Sequence, residues 1–342
     1  MKIRLVVPQV KAAPVARPPS CPRCQSPLMH QHQRVGKVII DTQIHQVVAL
    51  RYRCLGCGRT FRHYPEGVCA YRQSQRLMGL AALLWALGLS MSATSHVLHA
   101  LEAGIHKSSV LRDVHRAGLR LQDRKVVGRV RVLGADETVM GIRGQATLLG
   151  FVTDAQTGKT VGVDLLLTAD SRAFLRWLRP YVERLGVEVL VSDDLNTYKP
   201  VVEALDIEHQ LCLAHVRKWV TLRLQKVTGW EGEKALIRQL MQELPSHGGW
   251  VLLSLERSVR RSPPLRRLVV DLLQRWPALL CHRRRQGVPS TNNRTEQAIA
   301  KSKMRYKTVR GYKSVSGALA GVALTQWLYS GAPEHDLGEL VA

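Results

Sequence analysis

The chain is short of acidic residues, of phenylalanine and of long apolar runs, and each shortage excludes something. Asp and Glu number 26 against 50 Lys and Arg, a formal net charge of +24 in 342 residues. That excess excludes a cationic partner and points to a polyanion, in practice nucleic acid. Phosphate contacts release counterions, so such binding should weaken steeply with salt. The most apolar run, Leu77–Leu89 (LMGLAALLWALGL), falls short of the roughly 20 residues that cross a bilayer. It reads as a buried helix, and no membrane partner is expected. Met1–Ala16 holds Lys2 and Arg4, but its apolar stretch is broken by Pro8, Gln9 and Lys11, so no secretory signal is expected. Seven cysteines, an odd number, then fit a reducing cytoplasm with thiols used for metal and not for disulfides. Phe is rare, three against seven Trp and eight Tyr, yet the apolar share of 45% is ordinary for a folded chain. The length allows two or three domains. No internal repeat is present.

Four of the cysteines are paired. CPRC (Cys21, Cys24) and CLGC (Cys54, Cys57) are Cys-x-x-Cys knuckles, and two knuckles supply four thiolates to one tetrahedral Zn2+. The runs VIIDTQ and VVALRYRC between them read as the strands of a hairpin, and Gly56 and Gly58 let the second knuckle turn tightly. Residues 20–68 are expected to be a zinc ribbon holding one structural Zn2+. His30, His32, His45 and His63 are alternative ligands, and Cys69 reads as a core residue. Residues 1–19, rich in Pro and Ala, read as a flexible tail, and 331–342 as a second tail.

Residues 69–125 carry apolar residues at helical spacing. Gly88 breaks a first helix, Ser90 or Ser92 can cap a second, and Ser108 or Ser109 a third. Helix, short turn, helix is helix-turn-helix geometry, with Lys107, Ser108, Ser109, Arg112 and His115 as candidate DNA contacts. A plain helical bundle joining two domains is the alternative.

Residues 126–215 alternate strands and helices. RVRVLGADET is a strand ending at Asp136, and ATLLGFVTDA and TVGVDLLLTA complete an antiparallel meander. The helix SRAFLRWLRPYVERL, the buried strand VEVLVSDD ending at Asp193, the helix LNTYKPVVEAL and the strand IEHQLCLAH follow. This order, β-β-β-α-β-α-β-α, is that of the ribonuclease-H-like fold. Attack on a phosphodiester uses two divalent cations, one activating the nucleophile and one stabilising the leaving oxygen. Hard cations take oxygen ligands. Neighbouring strands lie about 4.8 Å apart, so carboxylates at adjacent strand ends can share ions. A third must come from a crossing helix, and TNNRTEQAIAKSKMRYK (291–307) offers Glu296 in a first turn. If Asn293 is the N-cap, Glu296 takes the capping-box position, a purely structural alternative. Lys303 shares its helix face.

Asp136, Asp193 and Glu296 are thus candidate ligands of two Mg2+ (or Mn2+). Arg294, Lys303, Arg305, Lys307, Arg310 and Lys313 are candidates to hold a DNA strand beside them. The stretch between Asp193 and Glu296 is too long for one loop, so 216–290 is expected to be a folded helical insertion, with 291–330 completing the core. Within it Trp219, Trp230, Trp250 and Trp276 fill a core or stack on exposed bases. The clusters RSVRR, PLRRL and HRRRQ are expected along DNA phosphates.

Taken together, DET (136–138), SDDLNTY (192–198), CLAH (212–215) and NNRTEQAI (292–299), with Lys303 and Arg305 beyond, resemble bacterial insertion-sequence transposases of the DDE type. The likeness, over roughly 126–330, is to the branch with a helical insertion between the second Asp and the Glu, which includes the mutator-like elements. The resemblance implies a multidomain α/β protein: zinc ribbon, helix-turn-helix-like segment, and a ribonuclease-H-like catalytic core interrupted by an α-helical insertion. It implies catalysis by Asp136, Asp193 and Glu296 on Mg2+, with Cys212 and His215 supporting the site rather than binding structural zinc, and Asn292 and Asn293 supporting it as well. It also implies binding to the terminal inverted repeats of a mobile element, strand transfer into target DNA, a homodimer or higher oligomer on DNA, and a place at the nucleoid of a bacterial cytoplasm. Two departures stand out. Where the family often has Gly after the second Asp this chain has Asp194, which leaves Asp193 and Asp194 as alternative ligands; the spacing to Tyr198 favours Asp193. Where the family often has Arg after the Glu, this chain has Gln297. Rival readings are a zinc-ribbon DNA-binding regulator derived from an inactive transposase, and a ribonuclease-H-like nuclease that cuts without joining.

Overall fold

A computed structural model describes residues 4–123, 128–193 and 196–341. The chain divides into two compact units, Met1–Lys125 with Ser302–Ala342, and Val126–Lys301.

In the first unit, β1 (Arg4–Val6) pairs in parallel with β10 (Glu334–Asp336). An antiparallel sheet follows, with β3 (Gln46–Cys54) central between β2 (Met29–Val38) and β4 (Thr60–His63). The first hairpin strand is not at VIIDTQ but upstream of it. β2 is mostly exposed and polar, and its conformation comes from pairing with β3, not from apolar alternation. Ile39 leaves the strand to join Val10, Val47 and Val68 in a small core. Asp41 turns the chain by accepting the N–H groups of Gln43 and Ile44 and the Ser74 hydroxyl.

Both expected tails need correction. Val10 is buried, the Lys11 N–H donates to Glu66 O, and Ala12 O accepts from the Val48 N–H. At the other end Leu337 and Leu340 are buried beyond β10. Pro and Ala content hides these attachments because backbone groups and single apolar side chains make them.

Three helices follow: α1 (Gln75–Ala86), α2 (Met91–Ala100) and α3 (Lys107–Asp123). Ser74 caps α1 and Ser90 caps α2, each hydroxyl accepting a backbone N–H of the first turn. Neither Ser108 nor Ser109 caps α3. His106 does so, its carbonyl accepting from the Ser109 N–H and its Nδ1 from the Ser108 N–H. α3 packs on α12 (Val315–Leu328) so closely that a Cβ at Gly118 would lie 2.3 Å from the Ala320 carbonyl oxygen. On α3, Lys107, Arg112, Arg116 and Arg120 are exposed.

Asp113, on the buried side of α3, accepts a hydrogen bond from Gln73 Nε2 at 2.6 Å. Burial pushes its carboxyl from 3.8 up to about 6, outweighing the Gln73 bond and the nearby Arg116 and Arg112. The folded chain then holds the proton more tightly than the unfolded one. The stability this gives is complete below pH 3.8 and is lost as pH rises through 6. Asp113→Asn should remove that loss. Between acid and neutral pH the native chain is expected to lose roughly 3 kcal/mol relative to the variant, read from thermal unfolding at each pH. Parallel stability–pH curves would reject the assignment.

The second unit is built on a five-stranded sheet in the order β7-β6-β5-β8-β9. The strands β5 (Val132–Ile142), β6 (Gln145–Asp154) and β7 (Thr160–Leu166) form an antiparallel meander. β8 (Val189–Ser192) and β9 (Glu208–Leu211) run parallel to β5. The helices α4 (Ser171–Leu185) and α5 (Tyr198–Leu205) cover the face that carries Leu133, Ala135 and Leu190. The other face carries Val132, Val189 and Val191, packed with Cys281 and Val288. The observed order of elements is the one read from the sequence. β5, however, does not end at Asp136: it continues to Ile142 in its pairing with β6, and what ends before Asp136 is the parallel pairing with β8.

After β9 come α6 (Leu213–Gln225), α7 (Glu231–Glu243), α8 (Gly248–Ser258), α9 (Pro263–Leu279) and α10 (Cys281–Arg284). Val216, Ile237, Leu252, Leu265 and Trp276 are among the residues of their common core. Trp276 is buried there, whereas Trp250 is 75% exposed. α11 (Asn293–Thr308) gives its first residues to this unit and its last to the other. No described helix is long and apolar enough to cross a membrane.

Candidate active site and metal centres

The register of β5 and β8 sets the two aspartates side by side. Their parallel pairing runs through Gly134↔Val191, and Asp136 and Asp193 each lie two residues further on. Residues two apart on a strand share a face. Asp136 therefore belongs to the side that carries Gly134, Val189 and Val191, away from α4 and α5, and Asp193 follows directly on the end of β8 at Ser192. The alternative ligand Asp194 lies outside the described residues.

The first turn of α11 is clamped to that same face. A Cβ at Gly134 would come within 2.4 Å of Thr295 Oγ1 and 3.0 Å of Asn292 Oδ1, so only glycine permits this approach. Asn292 Nδ2 donates to Ala135 O at 2.8 Å, and the Thr295 and Thr153 hydroxyls are 2.7 Å apart. The helix start is thus fixed two residues before Asp136 along β5.

The cap of α11 differs from expectation by one residue. The Asn292 carbonyl accepts the N–H groups of Thr295 and Glu296 at 3.0 and 3.1 Å, which makes Asn292 the cap instead of Asn293. Thr295 takes the capping-box position, its hydroxyl donating to Asn292 Oδ1 at 2.7 Å. Glu296, one place further, is released from the structural role. Its Oε1 is buried, has no hydrogen-bond partner among the described residues, and lies 3.7 Å from His215 Nδ1. Cys212 is the N-cap of α6 and accepts the Asn292 N–H at Sγ over 3.4 Å, while the Leu213 N–H donates to Ser290 O. Cys212, His215, Asn292 and Glu296, far apart in the chain, are therefore brought together. Asn293 is exposed.

Glu137 and Tyr198 complete the surroundings; from the sequence Tyr198 served only as a spacing mark for Asp193 and Glu137 only as part of DET. Tyr198 is wholly buried and donates its hydroxyl to Glu137 Oε2 at 2.8 Å. Desolvation pushes the Glu137 carboxyl up to about 7; the Tyr198 bond opposes this, and the charges of Asp193 and Asp136 add to it. A legible signal did exist: an acid next to Asp136 on an alternating strand must point to the opposite, core-facing side.

Cys21, Cys24, Cys54 and Cys57 converge as expected, with their sulfurs all within 4.8 Å of one another. Cys21 and Cys57 sulfurs are 3.9 Å apart and those of Cys24 and Cys54 3.5 Å. A tetrahedral Zn2+ with Zn–S near 2.3 Å requires edges of about 3.8 Å, so the donor set and its geometry fit zinc. Backbone N–H groups support it: that of Cys57 is first among the causes that lower the Cys54 thiol to about 6. At Cys24 the Ser26 N–H is the largest influence and lowers, but the Cys54 sulfur, burial and the Cys57 and Cys21 sulfurs together outweigh it and push the thiol up to about 12. None of His30, His32, His45 and His63 joins this group among the described residues.

Among the basic candidates Lys107, Arg112, Arg294, Lys303, Lys307, Arg310 and Lys313 are exposed, and Arg294 also donates to Ala155 O at 3.2 Å. Arg305 is a correction. It is 4% exposed, donates to Gly88 O and Leu89 O at 3.0 and 2.8 Å, and stacks its guanidinium 4.1 Å from the Trp85 ring. It is a buried clamp on the α1–α2 turn and is not presented to DNA. Arg305→Ala should cost about 2–4 kcal/mol of stability, read by denaturant unfolding, and leave the salt dependence of DNA binding unchanged. Loss of one phosphate contact in that salt slope with full stability would reverse the assignment.

The HRRRQ cluster is likewise committed internally. Arg283 donates to Leu244 O and Glu243 O at the end of α7, and Arg284 and Arg285 pair with Glu208 at 3.4 and 2.5 Å. Composition alone cannot tell an arginine that clamps carbonyls from one that awaits phosphate.

No family model matches the chain, and no curated protein matches it. Solved structures that resemble it in part include a Drosophila P element transposase strand transfer complex, at 11% identity over 73% of this chain and 78% of that one, with a TM-score of 0.29. The catalytic core domain of BIV integrase is similar at 10% identity over 52% and 99%, with a TM-score of 0.21. A simian T-cell lymphotropic virus intasome in complex with PP2A regulatory subunit B56 gamma is similar at 14% identity over 57% and 67%, with a TM-score of 0.22.

Proposed function

We propose that this chain is the DNA transposase of a bacterial insertion sequence, with a ribonuclease-H-like catalytic core in its second unit. The observation that carries the reading is the convergence on one sheet face. Asp136 and Asp193 stand at matching positions past the β5–β8 pairing, and the helix that bears Glu296 is clamped to β5 beside them. Asp136, Asp193 and Glu296 would hold two Mg2+ or Mn2+, which supply an activated hydroxyl and neutralise the leaving oxygen. Cys212, His215 and Asn292 hold Glu296 and the start of α11 in place. Water cleaves the phosphodiester at the element's end to leave a 3′-OH. That hydroxyl then displaces a 3′-oxygen in target DNA, one phosphodiester forming as another breaks, so no energy cofactor is needed.

The four-cysteine ribbon and the exposed residues Lys107, Ser108 and Arg112 of α3 bind the terminal inverted repeats. Lys303, Lys307, Arg310 and Lys313 contact phosphates. Two ends are processed together, by a dimer or larger assembly on DNA. The test is a supercoiled plasmid carrying this gene with its flanking DNA, incubated with and without Mg2+. Cuts that need Mg2+, leave 3′-OH ends and map to inverted repeats outside the reading frame are expected. Binding without cutting would make the chain a regulator, and cutting without joining or repeat preference would make it a nuclease.

A further inference from the structure

We propose that Cys212, His215 and Glu296 form a zinc site of their own, apart from the four-cysteine group. Their ligand atoms lie within 4.8 Å of one another, and His215 Nδ1 is 3.7 Å from Glu296 Oε1. A tetrahedral Zn2+ with Zn–N and Zn–O near 2.1 Å requires an edge of about 3.4 Å, so a shift of a few tenths of an ångström completes the shell. A thiol, an imidazole and a carboxylate are a borderline-soft set that selects Zn2+ over Mg2+, which takes oxygen.

The local structure prepares the site. Cys212 is the N-cap of α6 and His215 lies three residues on, so both side chains fall on one side of the first helical turn. The Cys212 side chain makes no capping bond and instead accepts the Asn292 N–H, which orients the sulfur as outer partners orient metal ligands. Glu296 sits in the first turn of α11. Two helix N-termini thus converge on the two ligands that become anionic, and each favours negative charge. Glu296 Oε1 is a buried acceptor with no hydrogen-bond partner among the described residues, a state that a cation satisfies. The His215 side chain is 44% exposed, which leaves the fourth position open to water. On binding, the Cys212 thiol gives its proton to solvent and both nitrogen and carboxylate donate lone pairs; no redox change occurs.

Zinc here takes the carboxylate oxygen that faces His215, and so competes with Mg2+ for Glu296. Occupancy of the site stands apart from the proposed reaction; only the competition rests on it.

The experiment uses the full chain with Co2+ as a spectroscopic stand-in for Zn2+, since visible absorption of Co2+ reports how many thiolates bind it. The native chain should show thiolate absorption from about two equivalents, one with a four-thiolate spectrum and one with the weaker spectrum of a single thiolate; Co2+ held by carboxylates alone lacks the thiolate band and is not counted. Cys212→Ser and His215→Ala should each keep the first and lose the second. Because His215 is half-exposed, its replacement is expected to leave the fold intact, as circular dichroism would check. Uptake of a single equivalent by the native chain, or of two by both variants, overturns the proposal. Cobalt counts read this inference alone, and Mg2+-dependent cleavage by chain carrying one zinc reads the proposed function alone.

Discussion

Glu296→Gln, Asp136→Asn and Asp193→Asn are each expected to abolish Mg2+-dependent cleavage of the plasmid while leaving the protein folded. The substitutions keep size and hydrogen-bonding capacity. Asp136 Oδ1 accepts the Glu137 N–H at 2.8 Å, which an asparagine oxygen also does. What is lost is the charge that binds the cation. Cation stabilisation of the transition state amounts to several kcal/mol, and each 1.4 kcal/mol is tenfold in rate, so a fall of about 10^3-fold or more follows. Binding to DNA, measured separately, should change little if, as proposed, the basic residues make the phosphate contacts. Activity within about tenfold of the native chain in any of the three would remove that residue from the reaction. Asp194→Asn in the same assay decides between the two neighbouring acids.

The second large effect concerns the ribbon. Cys54→Ser, or removal of zinc by a chelator, should unfold the knuckle end of the first unit's antiparallel sheet and leave β5–β9 intact. Around the cysteines the apolar support among the described residues is Met29 and Tyr52, with Leu50 and Phe61 partly buried beside them. So small a cluster cannot offset chain entropy unaided, whereas structural zinc contributes about 10–16 kcal/mol in isolated fingers. Amide hydrogen exchange should therefore accelerate by orders of magnitude at Met29–Gln31 and Tyr52–Cys54. Val47 should stay protected, because its own cluster with Val10, Ile39 and Val68 does not depend on the metal. Unchanged protection at Cys54 after verified metal loss would falsify a structural role for the ion.

Much of this was legible before the structure, and the reasons differ from element to element. β5, β8 and the helices between them announce themselves because strands buried on both faces are continuous apolar runs and amphipathic helices keep a 3.6-residue period. The four cysteines are legible because metal ligation demands specific atoms at specific spacing. β2 was misplaced because an exposed strand takes its shape from a distant partner, which local composition does not encode. The same holds for β1 and β10, three residues each at opposite ends of the chain. Arg305 looked like its exposed neighbours because burial of one arginine in a basic helix leaves no trace in periodicity. The cap of α11 was off by one because two successive asparagines compete for the same place, and only the Ala135 carbonyl, reached by Asn292, decides between them.

The interleaving of the two units has a consequence for synthesis. α3 is made early, yet the surface that Gly118 opens on it is filled by Ala320, which leaves the ribosome only after the whole of Val126–Lys301. At 5–20 residues per second the nascent chain waits roughly 10–40 s between the two. Through that interval the side of α3 that meets α12 lacks its partner, while the later-made portion can already collapse. Val126–Lys301 is thus complete before the unit that Met1–Lys125 begins, the reverse of the order in which the two are started.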